Sequence, residues 1–341
     1  MPITAGYDVG GAHLKVALTD DGRTIAVRQI PCPLWRGMEQ LDAALVEAIA
    51  LIARAEQHAV TMTGELCELF PDRQTGVREI VSHLATELDA DLRVYMGLRG
   101  FAGTATAMAE PASVGSMNFL ASAALVARSL PGALLIDMGS TTTDIIPIVD
   151  SMPCPRGITD GERLMTSELI YTGLTRTDPC VVAHSGRLRG REQRLAAGGF
   201  ASMADVRRIL GELPDGIDQH ATADGRGKSI EESIARFARV FGRDAENASP
   251  AEWRDAAREI ADKQMEEIRL AATSVMAEFK QLSAAPVVVA GIGASQIAAL
   301  MAQQGKAIVH FSTLANAAAD CADWATYCAP AVAVALLAGE N

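Results

Sequence analysis

A chain of 341 residues that is 49% hydrophobic and 21% charged carries enough apolar material for two packed domains, which excludes a disordered or fibrous protein. Its formal charge of -12 argues against nucleic acid and anionic membrane surfaces as partners, since both favour a basic footprint. Aromatic residues make up only 4%, so the core must be built from Ala, Leu, Ile and Val, a composition suited to helices packed closely on a sheet.

Met1 leads straight into a strand, Ile3 to Val9, without the basic segment and apolar run of a secretory leader, and the expected address is cytoplasmic. Gly10-Gly11 forms a hairpin tip before a second strand from His13 to Thr19, and Asp21-Gly22 turns the chain into a third, Arg23 to Ile30. Apolar residues at helical spacing predict a helix over Leu41 to Gln57. A buried strand follows at Ala59 to Met62, then a helix from Gly76 to Leu88 and a strand from Leu92 to Met96.

The helix Ser116 to Leu130 leads into a second lobe. There the strand Ala133 to Asp137 stops at Gly139, Ser140 to Thr143 turns, and Asp144 to Val149 returns as a strand. This echoes the strand, turn and strand of the N-terminus, more than a hundred residues away, so it is no short-period repeat. Helical patterns occupy Met203 to Leu210, Ser229 to Phe241 and Pro250 to Lys280, after which Pro286 to Ala290 is a strand and Gln296 to Gln303 a helix. The apolar stretch Ala329 to Ala338 is too short to span a bilayer and reads as a packed helix. Six scattered cysteines show neither a C-x-x-C pair nor zinc-type spacing, and read as free thiols.

Three segments can carry chemistry. Asp8-Val9-Gly10-Gly11-Ala12-His13-Leu14-Lys15 sets a carboxylate at a strand end, glycines where backbone can approach a ligand, and a lysine on the next strand. Asp137-Met138-Gly139-Ser140-Thr141-Thr142-Thr143-Asp144 repeats the acid and glycine, and adds hydroxyls that donate to phosphate and a second acid that can help hold hydrated Mg²⁺. Gly291-Ile292-Gly293-Ala294-Ser295 joins a buried strand to a helix, where its N–H groups could meet an anionic or nucleoside portion of a ligand. Each has a plain alternative as a hairpin tip, polar turn or tight strand-to-helix turn. His83 and His184 have no partner spacing and read as structural.

These three segments, in this order, resemble the two phosphate loops and the nucleoside loop of the actin-like/sugar-kinase/Hsp70 class. Thr61-Met62-Thr63-Gly64-Glu65-Leu66, Ile136 to Ile145 and Glu168-Leu169-Ile170-Tyr171-Thr172-Gly173 resemble, more narrowly, its hydantoinase/oxoprolinase-related branch. Asp224-Gly225-Arg226-Gly227-Lys228-Ser229 and Cys328-Ala329-Pro330 extend the similarity to the methanofuran-biosynthesis transferases that join a furan to a phenol.

The resemblance implies an α/β protein with two ribonuclease-H-like lobes around a cleft. The first lobe would be residues 1–128 and the second 129–328, with a helical insertion at about 200–282 and a C-terminal helix, 329–341, packing back on the first. It implies an ether-forming transferase of methanofuran or methylofuran biosynthesis. An aminomethyl-furanmethanol diphosphate would be the electrophile, the phenol of tyramine, tyrosine or a glutamylated form the acceptor, and diphosphate the leaving group. On this expectation Asp8, Asp137 and Asp144 hold Mg²⁺, directly or through water. Gly10, Gly11, Lys15, Gly139, Ser140, Thr141 and Thr142 bind diphosphate, with His13, Gly291, Gly293, Arg226 and Lys228 as further ligand contacts. Arg73, Tyr171 and Arg176 are weaker candidates. Because a free phenol has a pKa of about 10, a base is needed, with Glu65 the first candidate and Glu68 the second. The same loops would serve an ATP-dependent small-molecule kinase, an ATP hydrolase, or a nucleotide-sensing protein without catalysis. The sequence leaves room for a homo-oligomer.

Overall fold

The computed structural model describes residues 1–88 and 90–339. Strands β1 (Thr4–Val9), β2 (His13–Asp20) and β3 (Arg23–Pro31) form an antiparallel meander, closed at Asp21-Gly22 with both residues at positive φ, as a tight hairpin turn requires. β4 (Gln57–Met62) lies parallel to β1 and β5 (Leu92–Tyr95) parallel to β4, while the short β6 (Phe101–Gly103) turns back along β5. The order is β3-β2-β1-β4-β5-β6.

The second lobe repeats this plan with β7 (Gly132–Met138), β8 (Thr143–Val149), β9 (Met152–Pro153) and β10 (Leu169–Ile170). After a separate hairpin, β11 (Ser185–Leu188) with β12 (Arg191–Arg194), come β13 (Val287–Ala290) and β14 (Ile308–His310). The order β10-β8-β7-β13-β14 again sets an antiparallel meander beside two parallel strands, so each lobe has the ribonuclease-H-like arrangement.

Between the lobes lie two helices, Asn118–Ser129 and Ala329–Gly339. Their apolar residues share one core with Ala17 and Ala59 of the first sheet and Leu135, Ile146 and Val288 of the second. Ala329–Gly339 is apolar on all sides because it is covered on all sides. Gly6 lets it sit against β1, since a Cβ there would lie 2.1 Å from the Ala331 carbonyl oxygen. Residues 340 and 341 of the expected terminal helix lie outside the described residues.

The insertion has its own core, where Phe237, Phe241 and Trp253 meet edge to face across the helices Ile230–Val240 and Pro250–Glu278. The helix Met203–Leu210 completes it. Among the described residues, no helix is long and apolar enough to cross a membrane.

Some boundaries move for local reasons. The helix expected to reach Gln57 is Glu39–Ile52, because Gln57 already pairs with Thr4 as the first residue of β4. The helix expected from Gly76 begins at Arg73, where the Asp72 carboxylate accepts from the Thr75 amide at 2.8 Å. The short β6, β9, β10 and β14 and the β11–β12 hairpin lie outside the strands expected from the sequence.

Candidate active site

A cleft of about 390 Å³ opens between the lobes, lined by the two hairpin tips that follow β1 and β7. In the first lobe the antiparallel register sets Asp8 opposite Lys15, and Lys15 Nζ reaches Asp8 Oδ2 at 3.0 Å. The same register in the second lobe sets Asp137 opposite Asp144. One hairpin therefore offers an acid and a base, the other two acids.

Burial, then the neighbouring Asp144 charge, pushes the Asp137 carboxyl up to about 7, with Lys15 opposing. Burial pulls the Lys15 ammonium down, but Asp8 and, more weakly, Asp137 are among the groups that outweigh it, and its net shift is upward. Asp144 Oδ1 accepts from Arg163 Nη2 at 2.7 Å. Arg163 is buried with its guanidinium 3.6 Å from the centre of the Phe119 ring.

The hairpin tips close on themselves, because Gly10 N donates to His13 O and Gly139 N to Thr142 O, each at 2.9 Å. The amides of Gly11, Ser140, Thr141 and Thr142 donate to no protein acceptor among the described residues, and these residues line the cleft. Unused N–H groups, with hydroxyls and a lysine beside them, make a surface for a polyanion. Gly173, in the Glu168 to Gly173 motif, lies under this turn, where a Cβ would come within 2.5 Å of Ser140 C and Thr141 N. Glu168 is buried and accepts from the Arg156 and Gly157 amides at 2.8 and 3.1 Å. That motif braces the loop.

The acidic set suits a hard, oxygen-seeking cation. Asp8 Oδ1 is buried without a partner, and only one oxygen of Asp144 is taken by Arg163. The carboxylates of the three aspartates do not bring one oxygen each within 4.8 Å of one another, so a shared ion would be held partly through water or ligand oxygens.

Two expectations need correction. Gly291 and Gly293 do not offer their amides to the cleft, because Gly291 N donates to Thr326 O and Gly293 N to Met138 O, both at 2.9 Å. A Cβ on Gly291 would lie 2.3 Å from Asp137 Oδ1, so this glycine, at φ 77°, lets the third loop support β7. Arg226 and Lys228 do not line the cleft; Lys228 Nζ donates to Asp218 O at 2.6 Å, and the Arg226 amide donates to Asp224 Oδ1.

Glu65 lies just behind the cleft wall. It is 1% exposed, and its Oε1 accepts from Ser116 Oγ at 2.8 Å while Oε2 has no partner. Burial raises its pKa against the hydrogen bond from Ser116. Ser116 itself lines the cleft, as does Glu68. His13 also lines it, packed edge to face on His220 with ring centres 4.5 Å apart, and burial, followed by the His220 charge, holds its pKa far below the ordinary range. Tyr171 and Arg176 line the cleft, whereas Arg73 pairs with Asp160 at 3.2 Å. Sequence reasoning missed Trp35, Ser116, Asn118, Asp160 and Arg163 on the cleft wall. Trp35 carried one weak signal, as one of three tryptophans in an aromatic-poor chain.

Residues 56–329 match the family Hydantoinase/oxoprolinase. A protein of Methanocaldococcus jannaschii, (4-{4-[2-(gamma-L-glutamylamino)ethyl]phenoxymethyl}furan-2-yl)methanamine synthase, is 30% identical over 295 residues, covering 84% of this chain and 85% of the relative. The protein of the same description from Methanococcus vannielii is 34% identical over 119 residues, covering 35% of this chain and 53% of the relative. Among solved structures, nucleotide-free acetone carboxylase is similar with a TM-score of 0.53 and 11% identity, over 85% of this chain and 65% of that one. The lobes have the actin-like fold expected from the sequence. On sequence, the chain belongs to the hydantoinase/oxoprolinase family and, within it, to the branch of the (4-{4-[2-(gamma-L-glutamylamino)ethyl]phenoxymethyl}furan-2-yl)methanamine synthases.

Proposed function

We propose that this protein forms an ether between a furfuryl diphosphate and a phenol, with release of diphosphate, in the biosynthesis of a methanofuran-like one-carbon carrier. The observation that carries the reading is the row of unused N–H groups at Gly11 and Ser140 to Thr142, together with the hydroxyls of Ser140, Thr141 and Thr142, lining the cleft beside Lys15 and three aspartates. Such a surface stabilises charge that develops on a departing diphosphate.

In the proposed step the bond from the furfuryl carbon to the diphosphate oxygen breaks, its electron pair leaving with diphosphate. The phenol oxygen forms the new bond to that carbon. Its proton passes to Ser116 Oγ as the Ser116 proton moves to Glu65 Oε1, a route that suits a buried carboxylate with a raised pKa. Lys15, Ser140, Thr141 and Thr142 bind the diphosphate oxygens. Asp8, Asp137 and Asp144 would hold Mg²⁺, which supplies further positive charge to the leaving group. Under this reading the enzyme works in the cytoplasm on small molecules.

An ATP-dependent kinase or ATP hydrolase would use a nucleoside loop, and the amides of Gly291 and Gly293 are already spent within the protein. Incubation with the furan diphosphate, a tyramine-type phenol and Mg²⁺ without ATP, followed by mass spectrometry for the ether, tests the proposal. A product that appears only with ATP would overturn it.

A further inference from the structure

The central cleft continues beyond His13. A second cavity of about 510 Å³ opens beside it, and the two share Ala12, Trp35 and Arg176 in their walls. Its far wall comes from the helical insertion, through Ala201, Ser202, Ala204, Asp205 and residues 218–223. The insertion is tied across to the first lobe. Gln219 Nε2 donates to Gln29 O at 3.2 Å, Gln29 Nε2 to Gln219 Oε1 at 3.4 Å, and His220 packs on His13.

The charges of this chamber are unbalanced. Its three acids are all engaged: Asp205 with Arg236 at 2.8 Å, Asp218 with Arg208 and Lys228, and Asp178 with the Cys180 amide at 2.8 Å. Its two arginines make no ion pair among the described residues. The Arg36 guanidinium makes no hydrogen bond or ion pair among the described residues, and Arg176 meets the Trp35 face, at 5.7 Å, and the Thr141 hydroxyl, at 3.3 Å, with the Glu68 charge acting on it from the cleft side. In the same chamber wall, Trp35, Pro31 and Pro33 supply apolar surface suited to a flat ring.

We infer that the second chamber is the acceptor subsite, and that it selects a phenol whose side chain ends in a carboxylate. The phenol oxygen enters the diphosphate cleft past the shared Trp35 and Arg176, and the carboxylate lies on Arg36, which faces the second chamber alone. The assignment rests on the ether-forming reading for its substrate class.

The test compares the wild type and Arg36→Gln with three acceptors: tyramine, which has no carboxylate, tyrosine, and γ-glutamyl-tyramine. The expected result is a KM at least about tenfold higher for whichever carboxylated phenol the wild type uses, with kcat, the KM for the furan diphosphate and the KM for tyramine unchanged. An equal change for tyramine, or no change for any phenol, overturns the inference. Calorimetric titration of the carboxylated phenols without furan diphosphate separates this failure from failure of the proposed reaction. Binding to the wild type that weakens about tenfold in Arg36→Gln supports the chamber even where no ether forms. Equal binding to both proteins, or none to the wild type, counts against it.

Discussion

Ser116 donates its hydroxyl hydrogen to Glu65 Oε1 at 2.8 Å from a backbone held at φ 57°, a left-handed conformation uncommon for serine. The preceding Gly115 has no room for a side chain without pressing on Glu65, since a Cβ there would lie 3.0 Å from Oε1. The turn therefore sets one hydroxyl between a buried carboxylate and the cleft, and backbone outliers of this kind gather at functional sites.

If this pair carries the phenol proton, Glu65→Gln and Ser116→Ala should each lower kcat by roughly 10² to 10⁴. The double variant should lose little more than either single one, since the two act as a unit. In the wild type the rate should rise with pH through a pKa above the ordinary glutamate value, and that acid limb should vanish in Glu65→Gln. An unchanged pH–rate profile in Glu65→Gln removes the residue from the mechanism.

Asp137 gives a prediction without substrates. Its folded pKa, about 7, stands above the unfolded 3.8, so between these values the folded state keeps a proton that the unfolded state loses. This contribution to stability is whole below pH 3.8, declines as pH rises towards 7 and stays lost above it. Asp137→Asn should therefore raise the melting temperature of the ligand-free protein at pH 8 by roughly 2–4 °C, the size that about 1 kcal/mol produces. Below pH 4 the difference should disappear. Mg²⁺ binding should release protons at pH 6.5, visible as a dependence of calorimetric heat on buffer ionisation; a heat independent of buffer would contradict Asp137 as a metal-holding group.

Much of the site was legible because an antiparallel hairpin places strand-end residues opposite one another. Asp8 with Lys15 and Asp137 with Asp144 follow from the spacing of each loop once the strands are recognised. The third loop was misread because a glycine reports that something approaches the backbone, not what does. Beside Gly291 and Gly293 the visitors are Asp137 and Met138 of this chain. Arg163 stayed hidden because its burial depends on Asp144, 19 residues earlier, and on the Phe119 ring, neither suggested by its own short helix, Asp160–Met165. Likewise β6 and β14 are three residues each, too short to show a period.

The join between the lobes can be tested by crowding it. Gly6→Ala forces a Cβ into the Ala331 carbonyl and the Ala335 side chain, both on a helix fixed between two sheets. The expected cost is about 2–3 kcal/mol in chemical denaturation. A change under about 0.5 kcal/mol would show that the helix Ala329–Gly339 shifts freely on β1.

The most direct measurement of the central claim is a product balance with purified protein, the furan diphosphate, a phenolic acceptor and Mg²⁺, with ATP strictly excluded. The account predicts one diphosphate released for each ether formed, and neither product from Asp137→Asn. Absence of ether, with ATP cleaved when it is supplied, would contradict the account and return the cleft to a nucleotide.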